Sequence, residues 1–494
     1  PKLALKAGID GLKIIRKLIL KSKKLLKKNG KLIFEIGENQ KDIKSKSFYI
    51  ETYGCQMNFA DSEIVNAILI ERGMKPVRDA EHADIVLVNT CSIRENAETK
   101  VWNRLKEFRK LKARNKLLTV GILGCMAERI KDQIIEEEQL VDIVVGPDSY
   151  RDIPRLIEEV EDGRKAVNVL LSLEETYADI APVRTTGNGV SAFVSIMRGC
   201  DNMCSFCVVP FTRGRERSRP LESILNEICQ LYDQGYKEIT LLGQNVNSYK
   251  DGNNTFSTLM DKSSLLYPEI RFRFSSPHPK DFPDELLYLI AERPNLCNYI
   301  HIPAQAGSDS MLERMRRPYT RNQYLQLIKK MKVIIPNLSL STDIIAGFCG
   351  ETEEEHQQTL SLMREVEYDL AYMFAYSERE RTLAYRKFED DISEEIKKRR
   401  LSEIISQQMS IQHRRNQNEI GQRHLVLVEG TSKRSAQQIS GRTDTNKIAV
   451  FDRKDFEKGD YIEVEITRAT SATLIAKPIS KTSLVDYYSA ALEA

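Results

Sequence analysis

The stretch Phe-Val-Ser-Ile-Met-Arg-Gly-Cys-Asp-Asn-Met-Cys-Ser-Phe-Cys, residues 193–207, combines a short apolar strand with three cysteines spaced C-x₃-C-x₂-C. Cys200, Cys204 and Cys207, here called the motif triad, indicate a metal centre, because thiolates are the usual protein ligands of iron–sulfur clusters. Three cysteines would leave one iron of a four-iron cluster free to bind a small molecule. The alternative is zinc, although a structural zinc ion normally takes four protein ligands. Since the motif follows a strand, we expect it at the carboxyl edge of a sheet, where parallel α/β folds bind ligands.

The strand at residues 193–197 is the first of six strands that alternate with helices. The other predicted strands lie at residues 238–242, 271–274, 299–302, 339–345 and 370–376. Such alternation is typical of a parallel sheet covered by helices. Residues 191–416 are therefore expected to form a barrel or part of a barrel.

Residues 47–165 form a second region of alternating strands and helices, which predicts an open parallel sheet. Cys55, Cys91 and Cys125, here called the sheet triad, each come directly after a predicted strand. Because the carboxyl ends of parallel strands share one edge, the three thiols could converge on one cofactor. The alternative is three buried cysteines that pack as small hydrophobic residues.

The C-terminal part of the chain changes character. Short strands are predicted at residues 424–428, 448–451, 461–466 and 472–476. Short strands separated by turns predict a small antiparallel β-barrel over residues 417–482, a module that often binds nucleic acids. Lys433, Arg434 and Arg442 are its candidate phosphate contacts, which would position RNA without reading its sequence.

Three segments lie outside these domains. Residues 1–46 carry 14 basic and four acidic residues, a net charge of +10 that leaves −7 for the remainder. Within them, residues 11–28 predict a basic helix, either a membrane-surface or RNA-binding element or an appended helix with a solvated face. Residues 166–190 are interpreted as a linker because they contain proline and clustered glycines, and residues 483–494 as a tail.

The composition limits the class of protein. Of 494 residues, 41% are hydrophobic and 29% charged, which is typical of a globular protein with several domains. No apolar run approaches the ~20 residues of a membrane helix. Nine cysteines without an export signal favour metal binding or catalysis in a reducing cytosol over a disulfide framework. The net charge of +3 means that any nucleic-acid surface must be local.

Four stretches carry a resemblance to a known family. They are residues 200–220, Thr52-Tyr-Gly-Cys-Gln-Met-Asn58, Asn89-Thr-Cys-Ser-Ile-Arg-Glu95 and Leu242-Gly-Gln-Asn-Val-Asn-Ser-Tyr249. Together they resemble the radical S-adenosylmethionine (SAM) methylthiotransferases and are most similar to the tRNA-modifying MiaB branch. The resemblance covers about residues 47–480.

The resemblance implies an α/β multidomain enzyme with three parts. An N-terminal methylthiotransferase domain would hold an auxiliary [4Fe-4S] cluster on the sheet triad. A radical SAM core, a (βα)6 partial TIM barrel, would hold a second [4Fe-4S] cluster on the motif triad. A C-terminal TRAM domain would help to hold RNA.

The implied reaction adds a methylthio group at C2 of N6-isopentenyladenosine, at tRNA position 37 next to the anticodon. The motif cluster would bind SAM, whose reductive cleavage would give a 5′-deoxyadenosyl radical that removes the C2 hydrogen. The sheet cluster would present a sulfur species methylated by a second SAM, so that each turnover uses two. The enzyme would bind the anticodon stem-loop and need an external one-electron donor and a sulfur source. We expect a cytoplasmic monomer that does not associate with membranes.

Rival functions remain at this stage. A methylthiotransferase of the same superfamily could act on threonylcarbamoyladenosine tRNA or on a ribosomal-protein aspartate. An RNA-binding protein with impaired catalysis belongs to another class, as does a zinc-dependent RNA-binding protein. The RNA-binding protein with impaired catalysis is considered because of residues 377–382. Glu380-Arg381 there replaces the Pro-Gly common in the family and so removes the usual turn residues. Cys349 likewise stands where proline is usual.

Polar residues after the barrel strands are candidates for cofactor binding. These are Gln244, Asn245, Ser275, His301 and Asp343. The alternatives are a turn that orders the loop and ordinary core residues.

Arginines at alternate positions follow the motif triad. Arg213, Arg215 and Arg217 are candidate RNA contacts, because guanidinium groups suit phosphate by bidentate geometry. The alternative is a solvated, partly paired face.

Overall fold

The computed structural model describes residues 46–91, 95–129, 131, 134, 140–162, 164–185 and 187–493. The basic extension at residues 1–46, with its predicted helix, lies outside the described residues apart from Lys46. Among the described helices, none is long and apolar enough to cross a membrane.

The first region is a six-stranded parallel sheet. Its strands are β1 (Ser47–Thr52), β2 (Lys75–Pro76), β3 (Ile85–Thr90), β4 (Thr119–Gly124), β5 (Ile143–Val145) and β6 (Ala166–Asn168). Its helices are α1 (Gln56–Glu71), α2 (Glu95–Arg114), α3 (Cys125–Arg129) and α4 (Ile153–Glu161). The strand order is β2-β1-β3-β4-β5-β6. Central strands β3 and β4 are buried along their whole length, as expected of a parallel sheet covered on both faces. The predicted open parallel sheet is confirmed.

The sheet extends into the segment predicted as a linker. Strand β6 pairs with β5 through Val144 and Val167, so the linker prediction is wrong for its first residues. Further along, Tyr177 is buried, and its hydroxyl donates to the carbonyl of Pro147 at 2.9 Å. This segment therefore packs onto the first region.

The second region contains the six predicted parallel strands. They are β7 (Ser191–Ser195), β10 (Glu238–Leu242), β13 (Arg271–Phe274), β14 (Tyr299–His301), β15 (Ser339–Ala346) and β16 (Leu370–Ala375). The short strands between them are β8 (Met197–Arg198), β9 (Arg217–Ser218), β11 (Lys250–Asp251) and β12 (Asn254–Thr255). The helices are α5 (Val209–Arg213), α6 (Leu221–Asp233), α7 (Phe256–Leu266), α8 (Asp284–Glu292), α9 (Asp309–Arg314), α10 (Arg321–Ile334), α11 (Glu353–Val366) and α12 (Leu383–Lys387).

These strands form two parallel groups, β13-β10-β7 and β14-β15-β16. An isolated bridge joins Phe272 of β13 to Leu296, which lies in the segment that leads into β14. One hydrophobic core runs under both, between the strands and the helices that cover them. The partial (βα)6 barrel is confirmed.

The long helix α13 (Glu394–Gln417) leads to the C-terminal barrel. Its strands are β17 (Arg423–Ser432), β18 (Ser435–Arg442), β19 (Ile448–Asp452), β20 (Tyr461–Ala469) and β21 (Leu474–Thr482). They close in the order β17-β18-β19-β21-β20.

Two expectations about this C-terminal barrel need correction. The pair β19–β21 is parallel, so the barrel is mostly rather than wholly antiparallel. The sequence pattern does not predict strand β18, because its residues are largely polar. The predicted tail contains helix α14 (Leu484–Glu493).

The C-terminal barrel sits at the amino ends of the strands of the second region. Arg271 donates to the carbonyl of Leu425 at 2.8 Å, and Arg273 donates to that of Asp444 at 2.8 Å. Both arginines are buried. Since the motif triad follows the opposite strand ends, the RNA-binding candidate and the cysteines lie at opposite ends of the partial barrel.

Candidate functional site

The sheet triad comes together at the carboxyl edge of the first sheet. Cys55 caps the N-terminus of α1, Cys91 follows β3 and Cys125 begins α3. The Cys55 and Cys91 side chains share a hydrogen bond, which is the main cause that lowers the pKa of Cys55 to about 6. Burial raises the pKa of Cys125, and the charge of Cys55 adds to this effect. The three thiols are thus close enough to interact, as the strand ends predicted.

Glycine makes this approach possible. Gly54 has φ +116°, and a Cβ there would lie 2.4 Å from the Cβ of Cys91. The thiol of Cys55 donates to Asn58 Oδ1 at 3.2 Å, and Asn58 Nδ2 donates to Asn89 Oδ1 at 3.2 Å. Side-chain amides therefore tie the first turn of α1, next to Cys55, to the end of β3, next to Cys91.

The motif triad lies on the loop after β8. The Cys200 amide donates to the carbonyl of Gly214 at 3.2 Å, and that of Cys207 donates to the carbonyl of Cys204 at 3.0 Å. Burial raises the pKa of Cys200 to about 11, with a smaller contribution from the charge of Cys204. Arg317 Nη1 donates to Cys204 Sγ at 3.4 Å. The loop therefore holds three interacting thiols beside a buried cation.

A buried ionic network connects the two triads. Asp61, on α1, accepts from Arg198 Nη1 at 2.8 Å and from Arg213 Nη2 at 2.7 Å. Arg213 Nε in turn donates to Cys125 Sγ at 3.1 Å. Arg198 directly precedes Gly199 and Cys200. One carboxylate therefore links the sheet triad to the start of the motif triad.

This network suits a bound iron–sulfur cluster. Its cations are Arg198, Arg213 and Arg217, whereas its carboxylates are Asp61 and Asp148. Arg213 Nη1 is buried and has no hydrogen-bond partner among the described residues. Buried charges are costly unless paired. Cluster thiolates beside Arg213 would supply the missing negative charge, so the residues present fit the group.

The arginine prediction needs correction. Arg213 and Arg217 are 3% and 7% exposed, and each pairs with a buried aspartate. Their burial does not fit the predicted contact with RNA. Arg215 alone is exposed, where it pairs with Asp201 at 2.9 Å. Alternate spacing predicts a surface, but Arg213 at the end of α5 and Arg217 at the start of β9 both face carboxylates of the first region.

Two of the predicted cofactor-binding residues hold the cysteine loop. The amide of Gly199 donates to Gln244 Oε1 at 2.6 Å. Asn245 Nδ2 donates to Glu216 Oε1 at 3.2 Å, while its buried Oδ1 has no partner among the described residues. Both contacts match the loop-ordering alternative, and the role in cofactor binding stays a prediction. Ser275 is half-buried at the end of β13.

His301 and Asp343 lie together on β14 and β15. His301 Nδ1 is 2.8 Å from Ser341 Oγ, and Nε2 is 3.5 Å from Asp343 Oδ2. Asp343 is in register with Tyr372 on β16, whose ring meets the imidazole edge to face. The structure thus brings these two candidates together, and their cofactor role stays a prediction.

The altered loop at residues 377–382 keeps a turn. Arg381 adopts φ +69°, and the Thr382 amide donates to the carbonyl of Arg379 at 3.3 Å. Arg381 Nη1 donates to Glu128 Oε1 at 2.9 Å. An arginine thus occupies the left-handed position and ties this loop to α3, which begins at Cys125. Cys349 is buried, and its carbonyl accepts from Arg314 at 3.0 Å.

The RNA-binding candidates of the C-terminal barrel differ in environment. Lys433 and Arg434 are exposed at the turn between β17 and β18. Arg442 is half-buried and pairs with Glu429 at 3.0 Å. The structure therefore leaves the first two better placed for phosphate than the third.

Sequence reasoning missed Asp61, Arg198 and Arg317. Nothing in the local pattern around Asp61 distinguishes it from a solvated helix residue, although it is fully buried. Arg198 stands two residues before Cys200, but arginine is not a cluster ligand, so the motif does not predict its role. Arg317 lies 110 residues after Cys207 in a loop without a motif.

Three family models match the chain. They are UPF0004 (Uncharacterized protein family UPF0004) at residues 47–146, the Radical SAM superfamily at 194–363 and the TRAM domain at 417–479. Among solved structures, the radical S-adenosylmethionine methyltransferase TsrM from Kitasatospora setae, with cobalamin and a [4Fe-4S] cluster bound, covers 69% of this chain and 74% of its own. Its TM-score is 0.51 at 14% identity, which supports the fold alone.

Curated relatives are much more similar. A tRNA-2-methylthio-N(6)-dimethylallyladenosine synthase from Chloroherpeton thalassium is 54% identical over 87% of this chain and 96% of its own length. The mitochondrial tRNA methylthiotransferase CDK5RAP1 from Homo sapiens is 48% identical over 90% of this chain and 83% of its own. The chain therefore belongs to the radical SAM methylthiotransferase family that includes the tRNA-2-methylthio-N(6)-dimethylallyladenosine synthases.

Proposed function

We propose that this protein is a tRNA methylthiotransferase that converts N6-isopentenyladenosine at position 37 into its 2-methylthio derivative. The observation that carries the proposal is the buried link from Cys125 through Arg213, Asp61 and Arg198 to the loop of Cys200. Hydrogen removal and sulfur insertion must occur at the same carbon, so two cofactor sites held by one network suit this reaction. The identity to synthases of this activity over nearly their full length supports the substrate.

The six triad cysteines would bind two [4Fe-4S] clusters, one on each triad, and SAM would bind at the motif cluster. When bound, these groups supply the one-electron cleavage of SAM, the sulfur and the methyl group. The net change replaces C2–H by C2–S–CH₃. One SAM would leave as methionine and 5′-deoxyadenosine, which carries the C2 hydrogen away, and the second would give its methyl group to sulfur and leave as S-adenosylhomocysteine. The low-potential electron would come from outside the chain, as would the sulfur that replaces what each turnover consumes.

The chain's own residues position these groups. Gln244 fixes the amide of Gly199 and therefore the start of the cysteine loop. Arg317 places a positive charge at Cys204. His301 and Asp343 present an imidazole and a partly exposed carboxylate on one barrel face, where they can bind the polar groups of SAM. Each of these contacts orients a ligand, and none requires a side-chain base strong enough to deprotonate C2.

The tRNA would bind with its anticodon stem-loop at the cysteine edge and with backbone phosphates on the TRAM domain. Lys433 and Arg434 are exposed on that domain and suit phosphate contacts. The extruded adenine would enter the barrel edge, as proteins commonly read unpaired RNA bases. We propose that the protein acts as a monomer in the reducing cytosol.

The test is mass spectrometry of nucleosides from isopentenylated tRNA. The full chain, reconstituted with iron and sulfide under anaerobic conditions, is incubated with tRNA, SAM and a low-potential reductant. We expect a 2-methylthio product that disappears in Cys55→Ala and Cys200→Ala. Cys229→Ala is the matched control, because this cysteine lies on α6 outside both triads and should leave the product unchanged.

Other outcomes would redirect the assignment. Abundant 5′-deoxyadenosine without nucleoside change would contradict the isopentenyl substrate, and threonylcarbamoyladenosine tRNA or a ribosomal-protein aspartate would then be tested. Absence of both products from iron-loaded protein would contradict catalysis and favour an RNA-binding role. Stoichiometric zinc without iron would refute the cluster assignment for both triads.

A further inference from the structure

Arg213 is the residue through which the ionic network touches the sheet triad. Its Nε donates to Cys125 Sγ at 3.1 Å and its Nη2 to Asp61 at 2.7 Å. The side chain is 3% exposed. Two directional contacts in a closed site prevent the guanidinium from turning away from the thiols.

We propose that Arg213 is a positioning residue of the sheet triad, which retains the cluster bound there and raises its reduction potential. The inference rests on the proposed two-cluster function and deepens it. Net charge, hydrogen bonds to the sulfurs and exposure to solvent are the factors that set the potential of such clusters. Arg213 affects the first two directly.

Among the described residues, the carboxylates of the ionic network do not fully neutralise its guanidinium groups. Asp61 is shared between Arg213 and Arg198, and Asp148 between Arg198 and Arg217. Two carboxylates therefore face three guanidinium groups. Reduction of a cluster adds one negative charge, and the adjacent Arg213 guanidinium in a medium of low dielectric constant favours that step.

Arg213 also has a donor to spare. Its Nη1 is buried and has no hydrogen-bond partner among the described residues. A buried charged donor without a hydrogen bond destabilises the folded protein. A cluster on the sheet triad would bring sulfur acceptors next to this guanidinium, which explains why the donor is kept.

The motif triad has a separate arginine that allows an internal comparison. Arg317 Nη1 donates to Cys204 Sγ at 3.4 Å, and its other nitrogens bind Tyr319 Oη and the carbonyl of Pro303, both at 2.8 Å. Among the described residues, Arg317 makes no hydrogen bond or ion pair with Asp61, and its contacts differ from those of Arg213. Changes at the two arginines are therefore expected to act on different clusters.

The experiment is a potentiometric titration followed by electron paramagnetic resonance. The parent is the full chain with the motif cysteines replaced by alanine, so that the signal comes from the sheet triad alone. Arg213→Gln and Arg213→Lys are compared with Arg215→Gln, an exposed arginine two residues away. Iron per chain and the melting temperature are measured on each. A parent without this signal would overturn the two-cluster proposal itself, and with it this inference.

We expect Arg213→Gln to lower the midpoint potential, Arg213→Lys to lower it less because the charge remains, and Arg215→Gln to leave it unchanged. In the reciprocal parent, which lacks the sheet cysteines, Arg317→Gln should lower the potential and Arg213→Gln should not. Selective loss of sheet-triad iron at an unchanged melting temperature would also support the proposal. Full iron with an unshifted potential in Arg213→Gln would overturn it. Loss of both clusters together with a lowered melting temperature would show a merely structural role and overturn it too.

Discussion

Gly199→Ala should remove the iron of the motif triad. Gly199 has φ +79°, and a Cβ at this position would lie 2.0 Å from the carbonyl oxygen of Arg215. Contacts below 3.0 Å do not occur, so the loop must move by at least about 1 Å. Metal–ligand distances at such sites stay within ~0.2 Å of their usual values. Because Cys200 directly follows Gly199, a movement of this size at Gly199 is expected to take the Cys200 thiol out of that range.

The destabilisation caused by Gly199→Ala can be compared with that of a control variant, Gly235→Ala. Gly235 has φ +84° but nothing within 4 Å of its Cβ position, so alanine there incurs only the left-handed backbone cost of about 1–2 kcal/mol. Gly199→Ala adds an overlap of about 1–3 kcal/mol or more. Iron analysis and thermal unfolding of both reconstituted variants make the comparison. Gly199→Ala protein with the same iron content and stability as Gly235→Ala would refute the reasoning.

Three further predictions concern the rest of the molecule. Arg273→Met should lower the free energy of unfolding by about 3–5 kcal/mol, measured by urea denaturation, because it leaves the buried carboxylate of Glu238 unpaired. Burial lowers the pKa of His278 to about 3 from 6.5, so between these values the unfolded chain alone binds the proton. Stability should therefore fall with decreasing pH, by about 2 kcal/mol at pH 5, in the cluster-free protein, and His278→Gln should remove this loss. Replacing Lys433 and Arg434 by alanine should weaken tRNA binding and reduce the salt dependence of its affinity by about two phosphate contacts, measured by fluorescence anisotropy.

Controls for these variants come from the same chain. Arg423→Met removes an exposed ion pair with Glu463 and should change stability by less than about 1 kcal/mol. Lys262→Ala removes an exposed charge from α7 and should leave the tRNA affinity unchanged. The first prediction is contradicted if Arg273→Met and Arg423→Met lower the stability equally. The second is contradicted if the stability of His278→Gln still falls with decreasing pH. The third is contradicted if Lys262→Ala weakens tRNA binding as much as the double replacement of Lys433 and Arg434.

The sequence was informative wherever a local pattern carries the structure. Strand and helix alternation located all six barrel strands, because the apolar period of a buried parallel strand depends only on near neighbours. The position of Cys55, Cys91 and Cys125 after strands predicted their convergence, since parallel topology brings such ends together. Strand β18 escaped detection because its stability comes from pairing with β17 and β19 rather than from its own composition.

The ionic network was beyond local reasoning. Arg213 and Asp61 are 152 positions apart, and their pairing depends on how the first sheet packs against the barrel. Alternating arginines predict a charged surface when neighbours alone are considered. Only the packing of the first sheet against the barrel shows that Asp61 and Asp148 of the first region face these arginines.

Because the C-terminal barrel lies at the amino ends of the strands, the enzyme can select RNAs by the distance between the reactive base and the bound backbone. Strand β15 has eight residues and spans about 26 Å at ~3.3 Å per residue. An RNA held on both the C-terminal barrel and the cysteine edge must reach from one end of the partial barrel to the other, a separation for which this strand length sets the scale. A detached nucleoside or a very short hairpin touches one end only. Selection among RNAs can thus act on the distance between the reactive base and the gripped backbone, without any contact that reads a base along the way.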